Sequence, residues 1–163
     1  MFRDPSLVPL SHQHQHGLAL SVIIDRGLKA DPTPAKASEL AQKVATMAEV
    51  ELLEHFKVEE EVLFPSVRAA LEDDGVVDEL IAQHRAMEEL LDRLASADDR
   101  ARVPLLQEFG ELLSRHISIE ERRLFQEIQA KLTPEELGRL GIEIESSVQK
   151  TCPVTPLLPW EIR

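Results

Sequence analysis

Two ten-residue stretches of the chain repeat one pattern, a histidine followed four residues later by a pair of glutamates. They run over residues 55–64 and 116–125, and they share His, both Glu, Leu and Phe, five of ten positions. On a helix, His55 and Glu59 lie on one face, one turn apart, and so do His116 and Glu120. An imidazole and a carboxylate placed in this way can bind one metal ion or bridge two. The repeat therefore predicts two half-sites that face each other in a dinuclear centre within a helical bundle.

The elements that must position these residues are predicted to be helices. Apolar periodicity and turn signals place four long helices at about 11–28, 34 or 38 to 64, 76–97 and 101–132, and a short fifth at 134–149. Residues 1–9 are expected to be a loose lead-in, and Pro65 is expected to end or kink the second helix. Thr133 and Glu136 form a capping box, with Pro134 at the first helical position of the fifth helix.

The predicted fold class is all-α. Long helices with short connections favour an antiparallel up-down four-helix bundle with a short fifth helix and an irregular C-terminal tail. The bundle is predicted to occupy residues 1–150, and the Pro-rich tail residues 151–163. The tail, which holds Cys152 and Trp160, could cover a face of the bundle or pair two copies in a homodimer.

Composition and charge exclude several classes of protein. The chain has 163 residues, 43% of them apolar, which fits one domain with a proper core. No run of about 18 apolar residues exists that could cross a membrane, and the N-terminus does not read as a secretory signal. A net charge of −12 without a basic stripe argues against binding to nucleic acid. The single Cys152 fits a reducing cytoplasm, where we expect the protein to reside.

The histidines and glutamates of the repeat are predicted to lie in the core. His116 and Glu120 fall within the apolar stripe of the fourth helix, and His55 and Glu59 fall within that of the second. His84 occupies an inward position on the third helix. Burial of a lone carboxylate costs on the order of several kcal/mol. Two such carboxylates in register with histidines indicate a common compensating charge, which a pair of divalent cations would supply.

Two assignments stay open at this point. The first helix offers three histidines, and its apolar side lies nearest to His14, which we favour, with His16 as the alternative; His12 points away. Glu88, four residues after His84, lies at the edge of the apolar stripe and is either a further metal ligand or a solvated side chain.

The donor set indicates the type of metal. Four imidazoles and two carboxylates do not match a closed structural zinc site, and calcium and magnesium prefer oxygen shells. Mixed imidazole and carboxylate sets suit iron, with manganese or zinc less favoured. Di-iron bundles of the ferritin type use Glu-x-x-His, the reverse order of the motif found here.

With this motif set the chain resembles the hemerythrin-like (HHE cation-binding) family over about Leu10 to Leu132. The resemblance implies a four-helix bundle with a non-haem di-iron centre. Carried over to this sequence, two glutamates would bridge the irons, and two pairs of histidines would each bind one iron. The bridging residues are Glu59 and Glu120, and the pairs are His14 with His55 and His84 with His116.

One position departs from the pattern of the oxygen-carrying members. They use a fifth histidine one turn beyond the third-helix histidine, and Glu88 stands there in this chain. Glu60 and Glu121 are expected to be outer or solvated residues and not ligands.

The function that we favour is a binding protein: a di-iron domain that binds O₂ or a related small diatomic for sensing, storage or stress response. Its ligand pocket would be lined by Phe56, Leu63, Leu112 and Ile117. The alternative is a di-iron redox enzyme that reduces peroxide or nitric oxide, or donates iron for the repair of iron–sulfur clusters. A third reading, a helical interaction module without metal, does not explain the complete ligand set.

Overall fold

The structure, a computed structural model, describes residues 3–71 and 75–151. Within these ranges nearly every residue is helical and no strand is present, so the predicted all-α class is confirmed. The antiparallel up-down order of the long helices stays a prediction. We name the helices α1 (Val8–Ala30), α2 (34–70), α3 (Gly75–Ser96), α4 (99–131) and α5 (Pro134–Thr151).

Helices α2 and α4 contain π-helical turns. The α-helical parts of α2 are Pro34–Met47, Leu53–Val58 and Phe64–Ala70, which are joined by π turns at Ala48–Leu52 and Glu59–Leu63. Helix α4 consists of Asp99–Ile119 and Phe125–Lys131 around a π turn at Glu120–Leu124. Turns of this kind are rare and occur frequently at functional sites.

Of the two expectations for Pro65, an end of the second helix is wrong, because the helix continues to Ala70; a kink at Pro65 stays a prediction. A proline inside an α-helix lacks the N–H, and its ring collides with the carbonyl four residues earlier. Here the π turn comes directly before Pro65, and the N–H of Phe64 donates to the carbonyl of Glu59, five residues back. The wider turn accommodates the proline ring within a continuous helix.

Polar side chains cap several helices. Thr33 accepts from the N–H of Lys36 at the start of α2, and Asp98 accepts from two N–H groups at the start of α4. The predicted capping box of α5 is present: the Thr133 N–H donates to Glu136 Oε2 at 2.8 Å, and the Glu136 N–H donates to Thr133 Oγ1 at 3.3 Å.

The start of the chain is more ordered than the expected loose lead-in. Asp4 caps a 3₁₀ turn at Pro5–Leu7, and Leu7 is fully buried. This turn lies against α5, where a Cβ on Gly141 would come within 2.8 Å of the Ser6 Cα. Glycine at this position therefore permits the close approach of the two segments.

The core consists of two apolar clusters. One is built from α1, α2, α3 and α4 and includes Leu20, Met47, Met87 and Phe109. The other includes Leu10, Phe64, Leu80 and Phe125, together with residues of α5. Helix α4 packs against α1, α2 and α3, which places it at the centre of the contacts.

No helix within the described ranges is long and apolar enough to cross a membrane. Asp73, Asp74 and the tail with Cys152 and Trp160 lie outside the described residues. The division of the chain at residue 150 therefore stays a prediction.

Candidate metal centre

A layer of polar side chains lies between the two apolar clusters. Along α1, His14 follows Leu10 of one cluster and precedes Leu20 of the other, and along α3, His84 lies between Leu80 and Met87 in the same way. The buried polar residues of this layer are at most 4% exposed: His14, His55, Glu59, His84, His116 and Glu120. Charged groups are almost never buried to this extent unless they are paired or bind a metal.

The two repeated motifs fold alike at this layer. Each π turn of the pair begins at the first glutamate of its motif, Glu59 or Glu120, and is closed by the N–H of the phenylalanine five residues later. The first Glu, the Leu and the Phe of each copy of the repeat are all buried: 0% exposure for Glu59, Leu63, Glu120, Leu124 and Phe125, and 1% for Phe64. A π turn holds more residues than an α turn, so both the glutamate and the phenylalanine can face the interior.

The side chains form two groups that could each hold a cation. His14 and His55 join Glu59 and Glu120 in the first group, and His84 and His116 join the same two glutamates in the second. In each group the ligand atoms all lie within 4.8 Å of one another. Both carboxylates therefore belong to both groups, which is the arrangement expected of bridges between two ions.

The Nε2 atoms of the imidazoles face these carboxylates. Nε2 of His14 lies 3.1 Å from a Glu120 oxygen, and Nε2 of His55 lies 3.1 Å from a Glu59 oxygen. On the other side, His84 Nε2 lies 3.3 Å from Glu59 Oε2, and His116 Nε2 lies 3.4 Å from Glu120 Oε2. Two nitrogens, those of His84 and His116, also face each other at 3.0 Å.

Several oxygens of the cluster lack a hydrogen-bond donor. Among the described residues, Glu59 Oε2 and both carboxylate oxygens of Glu120 are buried without a hydrogen-bond partner. Leaving a buried polar atom unsatisfied costs about 1–3 kcal/mol, and more when the atom is charged. Imidazole nitrogens are close to these oxygens but are not aligned to donate to them. Buried oxygens and nitrogens that converge without satisfying one another fit a shell built for cations.

Comparison with protein families agrees with this geometry. The family model described as "Hemerythrin HHE cation binding domain" matches residues 9–128. The chain belongs to the hemerythrin HHE cation-binding family. No curated protein and no solved structure matches the chain in these comparisons. Membership indicates a domain that binds metal cations, and the two His/Glu groups are the residues of this hemerythrin domain that could hold them.

Each of the four imidazoles in the two groups of this hemerythrin domain is also held from outside through Nδ1. Glu121 Oε1 and Gln13 Oε1 accept from His14 and His55 at 2.7 and 2.8 Å. Glu60 Oε1 and Gln83 Oε1 accept from His84 and His116 at 2.8 and 3.0 Å. A proton fixed on Nδ1 leaves Nε2 as the atom that faces the centre, which is how such partners orient metal-binding histidines.

The residues that accept from the Nδ1 atoms also recur in both halves of the sequence. Each glutamine directly precedes an inward histidine, as Gln13-His14 and Gln83-His84. Each accepting glutamate is the second of its Glu-Glu pair. Sequence reasoning missed the role of the glutamines, although the repeated Gln-His dipeptide was a visible signal. The expectation that Glu60 and Glu121 are outer residues agrees with their contacts.

Arginine side chains form a further layer around the accepting glutamates. Arg3 pairs with Glu121, and Arg85 pairs with Glu60. The two arginines thus extend the same pattern on both halves of the domain, from the surface through a glutamate to an imidazole. Arg3 also lies over the Phe125 ring, with its guanidinium carbon 4.6 Å from the ring centre.

The structure does not bring Glu88 into the cluster. Its carboxylate accepts from Arg85 Nη1 at 2.7 Å, and its side chain is 37% exposed. The physical reason is that Arg85, three residues earlier on α3, offers a charged partner at the partly exposed surface. Glu88 therefore lies outside both groups, in agreement with the alternative that its side chain is solvated.

Burial and the shared carboxylates act on the pKa values of the metal-free cluster. Burial by itself lowers the pKa of His14, but the carboxylates of Glu120, Glu121 and Glu59 outweigh it and raise that pKa well above the ordinary range. Burial would raise the pKa of Glu59, but the neighbouring imidazoles hold it well below its usual value.

The two facing imidazoles of the second group, His84 and His116, have pKa values that are shifted in opposite directions. Burial opposes protonation of His84, but Glu59 and Glu60 raise its pKa, whereas burial dominates and lowers the pKa of His116. Of these two facing rings, His84 therefore holds a proton more tightly than His116. Positive charge is thus favoured inside the cluster even when protons are the only cations present.

The remaining histidines of α1 point away from the two groups. His16 Nδ1 lies 3.0 Å from both carboxylate oxygens of Glu51, and His12 is exposed. Of the two alternatives for the first helix, the structure thus brings His14 and not His16 to the cluster. This choice depends on the angle at which α1 faces its neighbours, which the spacing of the three histidines does not fix.

A small cavity borders the first group. It holds about 10 Å³ for the centre of a water molecule, room for roughly one water. The polar residues that line it include His14, His55 and His116, and the apolar ones include Phe56, Leu113 and Ile117. Of the four residues expected to line a ligand pocket, Phe56 and Ile117 border this cavity, whereas Leu63 packs in the other apolar cluster and Leu112 is only partly buried.

Proposed function

We propose that this hemerythrin domain holds two iron ions and binds O₂ or a related small diatomic. The observation that carries the proposal is the sharing of Glu59 and Glu120 by two His pairs whose nitrogens face unsatisfied carboxylate oxygens. Two carboxylates and two imidazoles per ion are donors that suit iron, with manganese and zinc less favoured. An antiparallel four-helix arrangement is part of the same proposal. Iron in the centre would supply the redox chemistry that diatomic binding requires.

The chain's own residues would hold and orient these ions. Glu121, Gln13, Glu60 and Gln83 keep the proton of each ring on Nδ1 and aim Nε2 at the centre. Aromatic packing limits rotation of the rings: Phe56 stacks on His84 at 4.0 Å, and Phe125 stacks on His14 at 5.4 Å between ring centres. A fixed orientation of the donors reduces the reorganisation needed on binding.

The small cavity supports a diatomic as the exogenous ligand. It has room for roughly one water molecule and borders His14 and His55 of the first group. Its small size excludes bulk water, and Phe56, Leu113 and Ile117 offer apolar contacts beside the imidazoles. This cavity is too small for an organic substrate, which supports the binding of a small ligand there.

The direct test is metal content by mass spectrometry after anaerobic loading with ferrous iron and desalting. We expect about two irons per chain. Because the glutamates belong to both groups, Glu120→Ala is expected to lose both irons, whereas His55→Ala leaves the second group complete and is expected to retain about one. Glu88→Ala serves as the matched control and should keep two, since Glu88 is paired with Arg85 outside the cluster.

The same protein then separates the two functions. Binding of one diatomic per centre, with full recovery on removal of the ligand, would support the proposed function. Repeated turnover of peroxide or nitric oxide would instead assign the domain to the redox enzymes. Retention of both irons by Glu120→Ala would contradict the metal centre itself.

A further inference from the structure

A second polar site lies beside the metal centre, between α1 and α5. A surface pocket of about 660 Å³ opens there. Its lining combines imidazole, carboxylate and amide groups, among them His12, His16, Glu51, Glu145 and Gln149. Imidazoles and carboxylates are ligands for divalent transition metals. None of these five side chains belongs to the two groups described above.

The inner end of this pocket is a buried ion pair. Glu51 lies on the π turn Ala48–Leu52 and is only 4% exposed. His16 Nδ1 reaches both of its oxygens at 3.0 Å, and the His16 side chain is 25% exposed. Burial of a carboxylate is costly, and an apolar residue would pack in this position without that cost. The pair therefore requires an explanation other than packing.

Glu51 and Gln13 connect this pocket to the metal centre. Both residues line the 660 Å³ surface pocket and also the small cavity that borders His14 and His55. They form the partition between the two spaces. Gln13 in addition accepts from His55 Nδ1, so the partition contacts a ring of the centre directly.

The potential ligands form a continuous series along α2. Glu51, His55 and Glu59 follow one another at intervals of four residues, and all three are buried. A cation that leaves Glu51 therefore meets His55 one turn further along the helix, and then Glu59. Each step is one helical turn.

The other half of the repeat lacks this series. Four residues before His116 the chain has Leu112 where the first half has Glu51, and two residues after His84 it has Ala86 where the first half has His16. Both halves build equivalent metal groups, so the Glu51–His16 pair is not needed to form such a group. It is a feature of one side only.

We propose that the outer pocket and the Glu51–His16 pair form a transfer site through which a divalent cation, as ferrous iron, reaches the metal centre. The inference rests on the proposed function. The inner cavity admits about one water, so a hydrated cation must lose most of its water before it passes. Glu51 and His16 supply an oxygen and a nitrogen that replace part of that hydration shell at the partition.

The test replaces the pair by its counterparts from the other half, Glu51→Leu together with His16→Ala. Removing both partners leaves no unpaired buried charge. We measure the rate of anaerobic ferrous loading in rapidly quenched samples, and the rate of release into excess chelator. Both rates are expected to fall about tenfold or more, because the passage loses the carboxylate whose charge guides the cation. The final iron content and affinity should not change, because a route affects both directions equally.

Glu49→Leu is the matched control. Glu49 lies on the same π turn and carries the same charge, but it is exposed and lines a different groove. It should load at the wild-type rate. If the double variant does not fold, Glu51→Gln, which keeps the size of the side chain and removes its charge, is expected to slow loading in the same direction.

Three results would overturn the inference: variant rates within twofold of wild type, equal slowing by Glu49→Leu, or a loss of final iron content in a folded variant. The last would make Glu51 a resident ligand or a structural residue. Failure of the wild-type protein to bind iron is a different outcome, because it would remove the proposed function itself.

Discussion

The outer hydrogen bond from His116 to Gln83 offers a sharp test of how the centre is built. The ring donates from Nδ1 to Gln83 Oε1 at 3.0 Å, while its Nε2 faces Glu120 and His84. Gln83→Leu keeps the approximate volume but removes the acceptor. The buried Nδ1–H then lacks a partner, and the alternative tautomer, which puts the proton on Nε2, is no longer disfavoured.

The size of the effect follows from that lost partner. An unsatisfied buried donor costs about 1–3 kcal/mol, and loss of such a partner typically weakens metal binding by about 10–100-fold. We therefore expect Gln83→Leu to weaken the binding of one of the two ions by roughly that factor. Because Gln13 holds His55 in the same way at 2.8 Å, Gln13→Leu should weaken the binding of the other ion by a similar factor.

The assay is a competition titration of ferrous iron against a chelator of known affinity, under anaerobic conditions. Gln107→Leu, an exposed glutamine on α4, is the control for the general effect of the substitution. Thermal unfolding of the metal-free variants checks that the fold is retained. If Gln83→Leu binds both ions with affinities within twofold of the control, the outer hydrogen bonds do not position the imidazoles and the reasoning is wrong.

Two further predictions concern the cavity and the acid stability. A Cβ on Gly17 would lie 2.8 Å from the Ile117 Cδ1 at the cavity, so Gly17→Ala should narrow it and slow nitric oxide binding to the ferrous protein. Stopped-flow rates equal to wild type would contradict this; stability should change little, because only the end of a flexible side chain must move. Burial would raise the pKa of Glu121, but hydrogen bonds from His14 and Ser11 and the charge of Arg3 lower it from 4.5 to about 2. A lowered pKa contributes stability that is present above pH 4.5 and is lost as the pH falls towards about 2. We expect the Glu121 carboxylate to account for about 2 kcal/mol of the stability that the metal-free wild type loses over this range, after allowance for its partial exposure; urea unfolding should show that Glu121→Gln loses less by about this amount, and an equal loss in both proteins would refute the assignment.

The sequence by itself determined the helices, the family and the inward face of each motif. Spacing of four residues within an apolar stripe fixes which way His116 and Glu120 point, because the helix is a local structure with a known period. The capping box of Thr133 and Glu136 is local in the same sense, and the structure contains it. The family resemblance rested on these local motifs and was confirmed by the match over residues 9–128.

Only the tertiary structure decided the contacts between helices. Glu121 reaches from α4 to His14 on α1, and Gln83 reaches from α3 to His116 on α4. Such partners depend on the axial register and rotation of one helix against another, which the period of a single helix does not contain. The π turns are a further case, because a turn with an added residue changes which side chains face inward beyond it. Packing of separate helices, and not local spacing, therefore left Glu88 with Arg85 and placed Glu51 between the surface and the metal centre. For the first helix, the apolar side of α1 had already favoured His14 over His16.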